Sequence, residues 1–511
     1  MSKTRTQKAA LNTMTAAISE IVSLICGLIL PRLILANFGS AYNGITSSAT
    51  QYLSAISILT VGVSGTTRVA LYRSLADGDI KKSSSIVRAT EIYMRKIGLI
   101  LLVYIVALSI LYPVFVKTDY KWFDVTILVA AAGIGTFGQY FFGTAYTAFL
   151  SANQSVYIYN TFLIASVLSN TIISVVLIKL GCSIQIVKLG SAFVYFLRPL
   201  MQNLYVTRRF KIDKRCEPDN SALALRKDVM AHSLANIVHD NTDMVVLTLF
   251  CNVRIVSVYS VYNLVMHALK KTQGVFTSGT EAIFGNMWVK GEVEKIKKSL
   301  GYYEYVVGML VSTVFATSFI VILPFISLYT KGVNDVEYVL PSYALVISLA
   351  QAWFCLRAPY LTLVQGAGHY KQTKTGAYFE AGINLVASVI LVQFIGIVGV
   401  AVGTLIANVF RTVQYAWYID RNIAKRGMTI FILRILWSFS NAAVAYFLTA
   451  PVIRASAHLS WHNWILCSFF SIAVCAAVSL VSSLLFYRSD LTGIIGIAKN
   501  IIKKKLRRKK K

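Results

Sequence analysis

The chain has 511 residues, of which 56% are hydrophobic and only 14% charged. Soluble domains carry about 25% charged residues, so a water-soluble globular fold is excluded for most of its length. Lys and Arg number 50 against 21 Asp and Glu, a formal charge of +29. No aromatic or groove-reading element accompanies that excess, which argues against a nucleic-acid partner.

The N-terminus, MSKTRTQK, is basic, and the apolar run after it has no small-residue cleavage site. It is expected to stay as an uncleaved first transmembrane helix. Runs long enough for a hydrocarbon core of about 30 Å then recur along the chain. We read about fourteen spans, at 12–36, 42–67, 97–116, 125–150, 157–179, 184–206, 230–252, 255–278, 301–329, 338–364, 376–395, 397–419, 429–453 and 463–487. They lack the period-2 alternation of membrane strands, so the expected fold class is all-α integral membrane. The seven cysteines show no CxxC spacing and fall mostly in apolar runs. They read as small core residues, with no disulfide framework and no metal site.

Alternate loops hold about forty of the 50 Lys and Arg, which by the positive-inside rule places both termini in the cytoplasm. The tail NIIKKKLRRKKK serves either as a topogenic signal or as a grip on anionic lipid, at about 1 kcal/mol per basic residue.

The longest polar stretch, 208–227, leaves six spans before it and eight after. The two halves echo each other at a nearly constant offset. Gly190-Ser191 precedes Arg198, Tyr205 and Arg208, as Gly403-Thr404 precedes Arg411, Tyr418 and Arg421. Tyr157 falls opposite Tyr370, and Asn170 opposite Asn384 with a one-residue slip. This suggests a duplicated six-helix unit, a parallel repeat about an axis along the membrane normal. The expected organisation is an N-terminal lobe at 1–212, a cytoplasmic linker at 213–228, a C-terminal lobe at 229–424, and two extra helices with a basic tail at 425–511. No outer loop has room for a catalytic domain, and no GxxxxGK[ST] is present. The chain therefore reads as a non-enzyme that does not hydrolyse ATP.

A charge at mid-membrane costs about 2.5–3.5 kcal/mol, so each one needs a reason. Span seven carries Asn236, His239, Asp240, Asn241, Thr242 and Asp243. Span eleven carries Glu380 and Asn384 at i,i+4, on one face. Span twelve carries Thr404, with Val400 one turn before it. Such hard oxygens suit a small cation; the competing role is interhelical packing, worth about 0.6 kcal/mol per contact. For Asp243 with Glu380 we favour a site for Na⁺ or a proton as coupling ion. The basic set is Arg32 behind Pro31, Arg68, His267, Lys270 and Arg357. Arg68 and Lys270 also fit snorkelling span ends, whereas guanidinium groups in a cavity would suit a diphosphate. Glu20, midway along span one, would have to face the same cavity or be protonated.

Several stretches together resemble Wzx-type polysaccharide flippases. They are GLILPRLILANFGSAYNG (27–44), ALYRSLADGD (70–79), LSANQSVY (150–157), DNTDMVVL, VSVYSVYN and AIFGN between 239 and 286, GHYKQT (368–373), EAGIN (380–384) and GIVGVAVGT (396–404). The resemblance reaches to about residue 425. It implies the multidrug/oligosaccharidyl-lipid/polysaccharide flippase superfamily: two six-helix lobes in a V, often with two added helices, alternating between inward- and outward-open states. It further implies carriage of undecaprenyl-diphosphate-linked oligosaccharide across the bacterial cytoplasmic membrane, beside glycosyltransferases and a polysaccharide polymerase. A lipid II flippase of that superfamily has a sodium site to which Asp240 or Asp243, Glu380, Asn384, Thr404 and the Val400 carbonyl correspond, with acid and amide reversed in span eleven. Its cavity-facing arginines correspond to Arg32 and Arg68, with Lys270 a weak substitute for a third. The competing reading within the superfamily is a cation-coupled multidrug antiporter, whose cavity should be acidic.

Overall fold

The computed structural model describes residues 4–60, 62–116, 120–223, 241–277, 280–455, 460–496 and 499. Asn236, His239, Asp240, the end of the linker and the basic tail therefore lie outside the described residues. Among the described residues all regular structure is helical.

Among the described residues ten helices are long and apolar enough to cross a membrane. One of them, Tyr370–Ala424, carries two of the expected spans, because its backbone leaves helical geometry at Ile395 and Gly396. The expected span 42–67 is not one helix. It is α2 (Ser40–Ser54), a 3-10 turn at Ala55–Leu59 and α3 (Val63–Ala76). The break falls at Gly62, whose φ of 87° is a left-handed conformation that favours glycine.

The contacts divide the chain into two units, Met1–Ser260 with Gly332–Val336 and Val261–Lys331 with Glu337–Lys511. The first contains α1 (Arg5–Phe38), α2, α3, α4 (Ile80–Phe115), α5 (Trp122–Gly138), α6 (Thr144–Ala152), α7 (Val156–Lys179) and α8 (Ile184–Phe210). It also holds α9 (Asn241–Phe250) and the opening turns of α10 (Val253–Thr277), which the sequence reading assigns to the C-terminal lobe. Polar contacts to α2 explain this grouping. Asn43 Nδ2 donates to Ser257 Oγ at 2.8 Å and Ser260 Oγ at 3.0 Å. Gln51 and Ser54 donate to Asn241 Oδ1 at 2.8 and 2.5 Å. Gly44 permits the approach, since a Cβ there would lie 1.7 Å from the Val253 carbonyl oxygen.

The second unit contains the rest of α10, α11 (Thr280–Val289), α12 (Val293–Tyr329), α13 (Pro341–Leu356), α14 (Ala358–Gly366), the kinked α15 (Tyr370–Ile419), α16 (Met428–Ala455) and α17 (Trp461–Phe486). The last two helices pack on α12 through small residues, which let helices approach closely. Ser312 meets Ser479 at 3.1 Å, and Trp464 Nε1 donates to the Val321 carbonyl at 3.0 Å.

Features of the first unit recur in the second at the offset seen in the sequence. Asp79 begins α4 after Gly78, and Glu292 begins α12 after Gly291, both glycines at positive φ. Buried Glu91 is held by Arg88 at 2.9 Å and Arg95 at 2.8 Å. Its counterpart Glu304 is held by Arg426 and by Arg434, the latter at 3.3 Å. The turn before α7 closes with Ser155 N on Leu150 O at 2.8 Å, and the turn before α15 with His369 N on Val364 O at 3.0 Å. The α7–α8 hairpin turns through Gly181 at φ 73°, and the hairpin within α15 turns through Gly396 at φ 56°.

Candidate functional site

In the second unit the expected residues do come together, but as an ion network. Arg357 sits at the break between α13 and α14, where Ala358-Pro359 opens the next helix. Its Nη1 lies 2.5 Å from Glu380 Oε1. From the second half of α15, Arg411 Nε lies 3.4 Å from Glu380 Oε2. All three are nearly buried, at 7%, 7% and 4% exposure for Arg357, Glu380 and Arg411. Arg411 also donates to the Thr373 carbonyl at 3.0 Å and to Tyr415 Oη at 2.5 Å. Lys270 joins the group through Phe354, whose ring it shares with Arg357 at 4.9 and 4.5 Å.

This geometry corrects two expectations. Glu380 is not a carboxylate open to a cation, because each of its oxygens faces a guanidinium that would repel one. Arg357 is not a bare anion-binding group, because Glu380 already engages its Nη1. Asn384 and Thr404 are in contact, with Asn384 Nδ2 donating to Thr404 Oγ1 at 2.9 Å. Ser388 Oγ, one turn on, donates to the Val400 carbonyl at 3.4 Å. Both contacts are made within one kinked hairpin, the geometry that interhelical packing requires.

In the first unit, Asp243 is buried on α9 at 7% exposure. Arg32 is half-buried on α1, and Arg68 and Glu20 are exposed on α3 and α1. Asp243 and Glu380 belong to different units. Asp240 lies outside the described residues.

A cavity of about 390 Å³ lies inside the first unit. Helix α8 supplies one wall through Lys188, Ser191, Tyr195 and Arg198, a stripe at helical spacing. Thr46 and Thr50 of α2, Gln139 after α5 and Asn170 of α7 complete its polar lining. Gln139 opens a π-helical turn, Gln139–Gly143, and such turns often mark functional sites. Its Oε1 accepts from Arg198 Nη2 at 2.7 Å, and the Arg198 guanidinium also sits over the Tyr159 ring at 5.9 Å. The lining contains no Asp or Glu. Among the described residues neither Lys188 nor Arg198 has a carboxylate partner, and Arg198 Nε is buried without a hydrogen bond.

Lys188, Arg198, Gln139 and Arg411 are the residues that sequence reasoning missed. It uses Arg198 and Arg411 only as markers of the repeat. The available signal is two basic residues inside one span.

No family model matches the chain, and no curated protein matches it. Among solved structures it is similar to the lipid II flippase MurJ in an inward closed conformation. The TM-score is 0.64 at 14% identity, covering 93% of this chain and 98% of that one. It is also similar to an inward-facing multidrug resistance MATE family transporter of the MOP superfamily. There the TM-score is 0.61 at 15% identity, with 80% and 98% of the two chains covered. A MATE structure in complex with MaL6 gives 0.51 at 15% identity, covering 80% and 96%. This chain is a multi-pass membrane protein with the fold shared by these transporters.

Proposed function

We propose that this protein is a flippase that moves undecaprenyl-diphosphate-linked oligosaccharide across the bacterial cytoplasmic membrane by alternating access, for surface polysaccharide synthesis. Both termini lie in the cytoplasm, where glycosyltransferases assemble the cargo, and a polymerase acts on the delivered unit. The fold shared with a lipid flippase over nearly the full length of both chains supports the transport part of this reading. The choice of cargo rests on one observation, the first-unit cavity lined by Lys188 and Arg198 with no carboxylate. A cationic drug would meet repulsion there, and an anionic head group attraction. An apolar cavity of about 310 Å³ in the second unit, lined by Phe315, Phe319, Leu345 and Phe439 among others, would suit part of an isoprenoid tail. Asp243 is the residue we assign to ion coupling.

Native mass spectrometry of the protein extracted from bacterial membranes tests the cargo. The expected adduct has the mass of a polyprenyl-diphosphate-linked glycan. Adducts of ordinary phospholipids only, with a further mass shift on adding ethidium, would support the multidrug reading instead.

A further inference from the structure

Two observations meet at the α7–α8 hairpin. The first is its likeness to the hairpin within α15. Asn170 stands where Asn384 stands, Ser174 where Ser388 stands, Ser191 where Thr404 stands and Arg198 where Arg411 stands. These positions bond across the arms in both hairpins but in different pairs, Asn170 Nδ2 donating to Tyr195 Oη at 3.3 Å and Ser174 facing Ser191 at 3.3 Å. The one-residue slip in the offset falls in the turn between the two arms, which is shorter by that residue in the second hairpin.

The second observation is where the likeness stops. In the register that pairs Asn170 with Asn384, the counterpart of Glu380 is Ser166. Ser166 is buried and bonded only to its own helix, at the Leu163 carbonyl at 2.9 Å. The first hairpin thus keeps the arginine and lacks the carboxylate. It gains Lys188 where the second has Ala401. In the second unit the guanidinium is matched by an anion built into the chain. In the first the cations line a cavity with space for an anion that the chain does not supply.

We propose that the cavity of the first unit is a diphosphate-binding site, with Arg198 and Lys188 taking the anion in the place that Glu380 fills in the second unit. Gln139 is a positioning residue. By accepting from Nη2 it fixes the guanidinium plane, leaving the Nε and Nη1 hydrogens as separate donors to phosphate oxygens. Asn170 Nδ2, with a second hydrogen beside the one given to Tyr195, and Ser191 offer further donors around the cavity, whereas the Thr46 and Thr50 hydroxyls donate to carbonyls of their own helix. An unpaired cation inside a membrane protein is costly, and an arriving dianion removes that cost for both side chains at once. That the anion is the head group of a lipid rests on the proposed function. The anion site itself rests on the cavity and the missing carboxylate.

The test is binding to the purified full chain in detergent, with farnesyl diphosphate, inorganic pyrophosphate and farnesol as probes. Farnesyl diphosphate should bind and farnesol should not. Binding of pyrophosphate as well would mean the free anion suffices, and its failure to bind would mean that the site takes the head group with its tail. Both results support the site. Lys188→Gln and Arg198→Gln should each raise the Kd at least tenfold, and Lys188→Arg should stay within about threefold of wild type. Ser166→Glu supplies the missing carboxylate and should weaken binding as much as Arg198→Gln does, whereas the neutral Ser166→Gln should weaken it less than threefold. The melting temperature of each unliganded variant identifies any that fails to fold. Absence of diphosphate binding by wild type, or equal binding by the Lys188, Arg198 and Ser166→Glu variants, would overturn the proposal. Translocation of lipid-linked glycan that does not depend on Lys188 and Arg198 would overturn this site and leave the proposed function standing. Diphosphate binding without translocation would do the reverse.

Discussion

Removing the Glu380 carboxylate is the most informative single perturbation of the second unit. Glu380→Gln keeps the shape of the side chain and deletes the anion shared by Arg357 and Arg411, at 2.5 and 3.4 Å. A unit charge pair about 4 Å apart is worth about 4 kcal/mol at an effective dielectric of about 20. Both attractions would be lost, and two guanidinium groups of 7% and 4% exposure would be left facing each other across an amide. Relaxation and water entry offset part of this, so the expected loss is about 3–5 kcal/mol, as for other buried ion pairs that lose one partner. The assay is equilibrium unfolding in mixed micelles, with wild type and variant measured by the same probe. Adding Arg411→Gln to Glu380→Gln should recover about 1 kcal/mol or more, because it removes one of the stranded charges; this non-additivity identifies the network. A loss under about 0.5 kcal/mol for Glu380→Gln, the range of ordinary surface changes, would refute the assignment of its carboxylate to the two arginines. So would a double variant that is simply the sum of the singles.

Gly44→Ala would drive a methyl to 1.7 Å from the Val253 carbonyl oxygen and is expected to cost at least about 3 kcal/mol; a variant that melts with wild type would contradict the close approach. Arg32→Ala should abolish glycan export at unchanged membrane abundance, with Arg32→Lys rescuing it only in part; normal export by the Ala variant would reduce Arg32 to an interfacial anchor. Asp243→Asn should cut gradient-driven translocation in vesicles at least about tenfold, or about 1.4 kcal/mol of coupling, and an unchanged rate would remove Asp243 from that role. Topology is accessible through native cysteines kept one at a time. Cys182, between α7 and α8, should react with an impermeant maleimide on whole cells, and Cys216, after α8, only after lysis; labelling of Cys216 on intact cells would overturn a cytoplasmic N-terminus. Burial and the nearby Asp213 raise the Cys216 thiol pKa, so its thiolate fraction at neutral pH is small and its labelling should speed up as pH rises.

The helical membrane fold is legible in the sequence because its cause is local. A run such as 97–116 must satisfy its own backbone hydrogen bonds in lipid, whatever it packs against. The repeat is legible at Arg198 and Arg411 for a similar reason, since duplicated chain keeps its spacing. Partnerships are not legible. Helical periodicity puts Glu380 and Asn384 on one face, and Asn384 does meet Thr404. Yet what Glu380 faces depends on Arg411, which lies in the closing turns of the span 397–419, where charges ordinarily reach the interface. The same habit hides Lys188, near the start of its span, although 188, 191, 195 and 198 fall on one stripe. The broken segment 42–67 illustrates a third kind of miss: an apolar run gives its length, while the left-handed residue that interrupts it is a single glycine.

The central claim is that the chain moves an anionic, lipid-linked glycan, and translocation by the reconstituted protein tests it most directly. Vesicles carrying undecaprenyl-diphosphate-linked fluorescent oligosaccharide in both leaflets would be exposed to an impermeant glycosidase, with ethidium transport measured in parallel. The account predicts that, in vesicles containing the protein, cleavage runs past the outer-leaflet half towards completion. It should stop near half in empty vesicles, and ethidium should move no faster than by leakage. Cleavage that stops at half in both, with protein-dependent movement of ethidium, would contradict it.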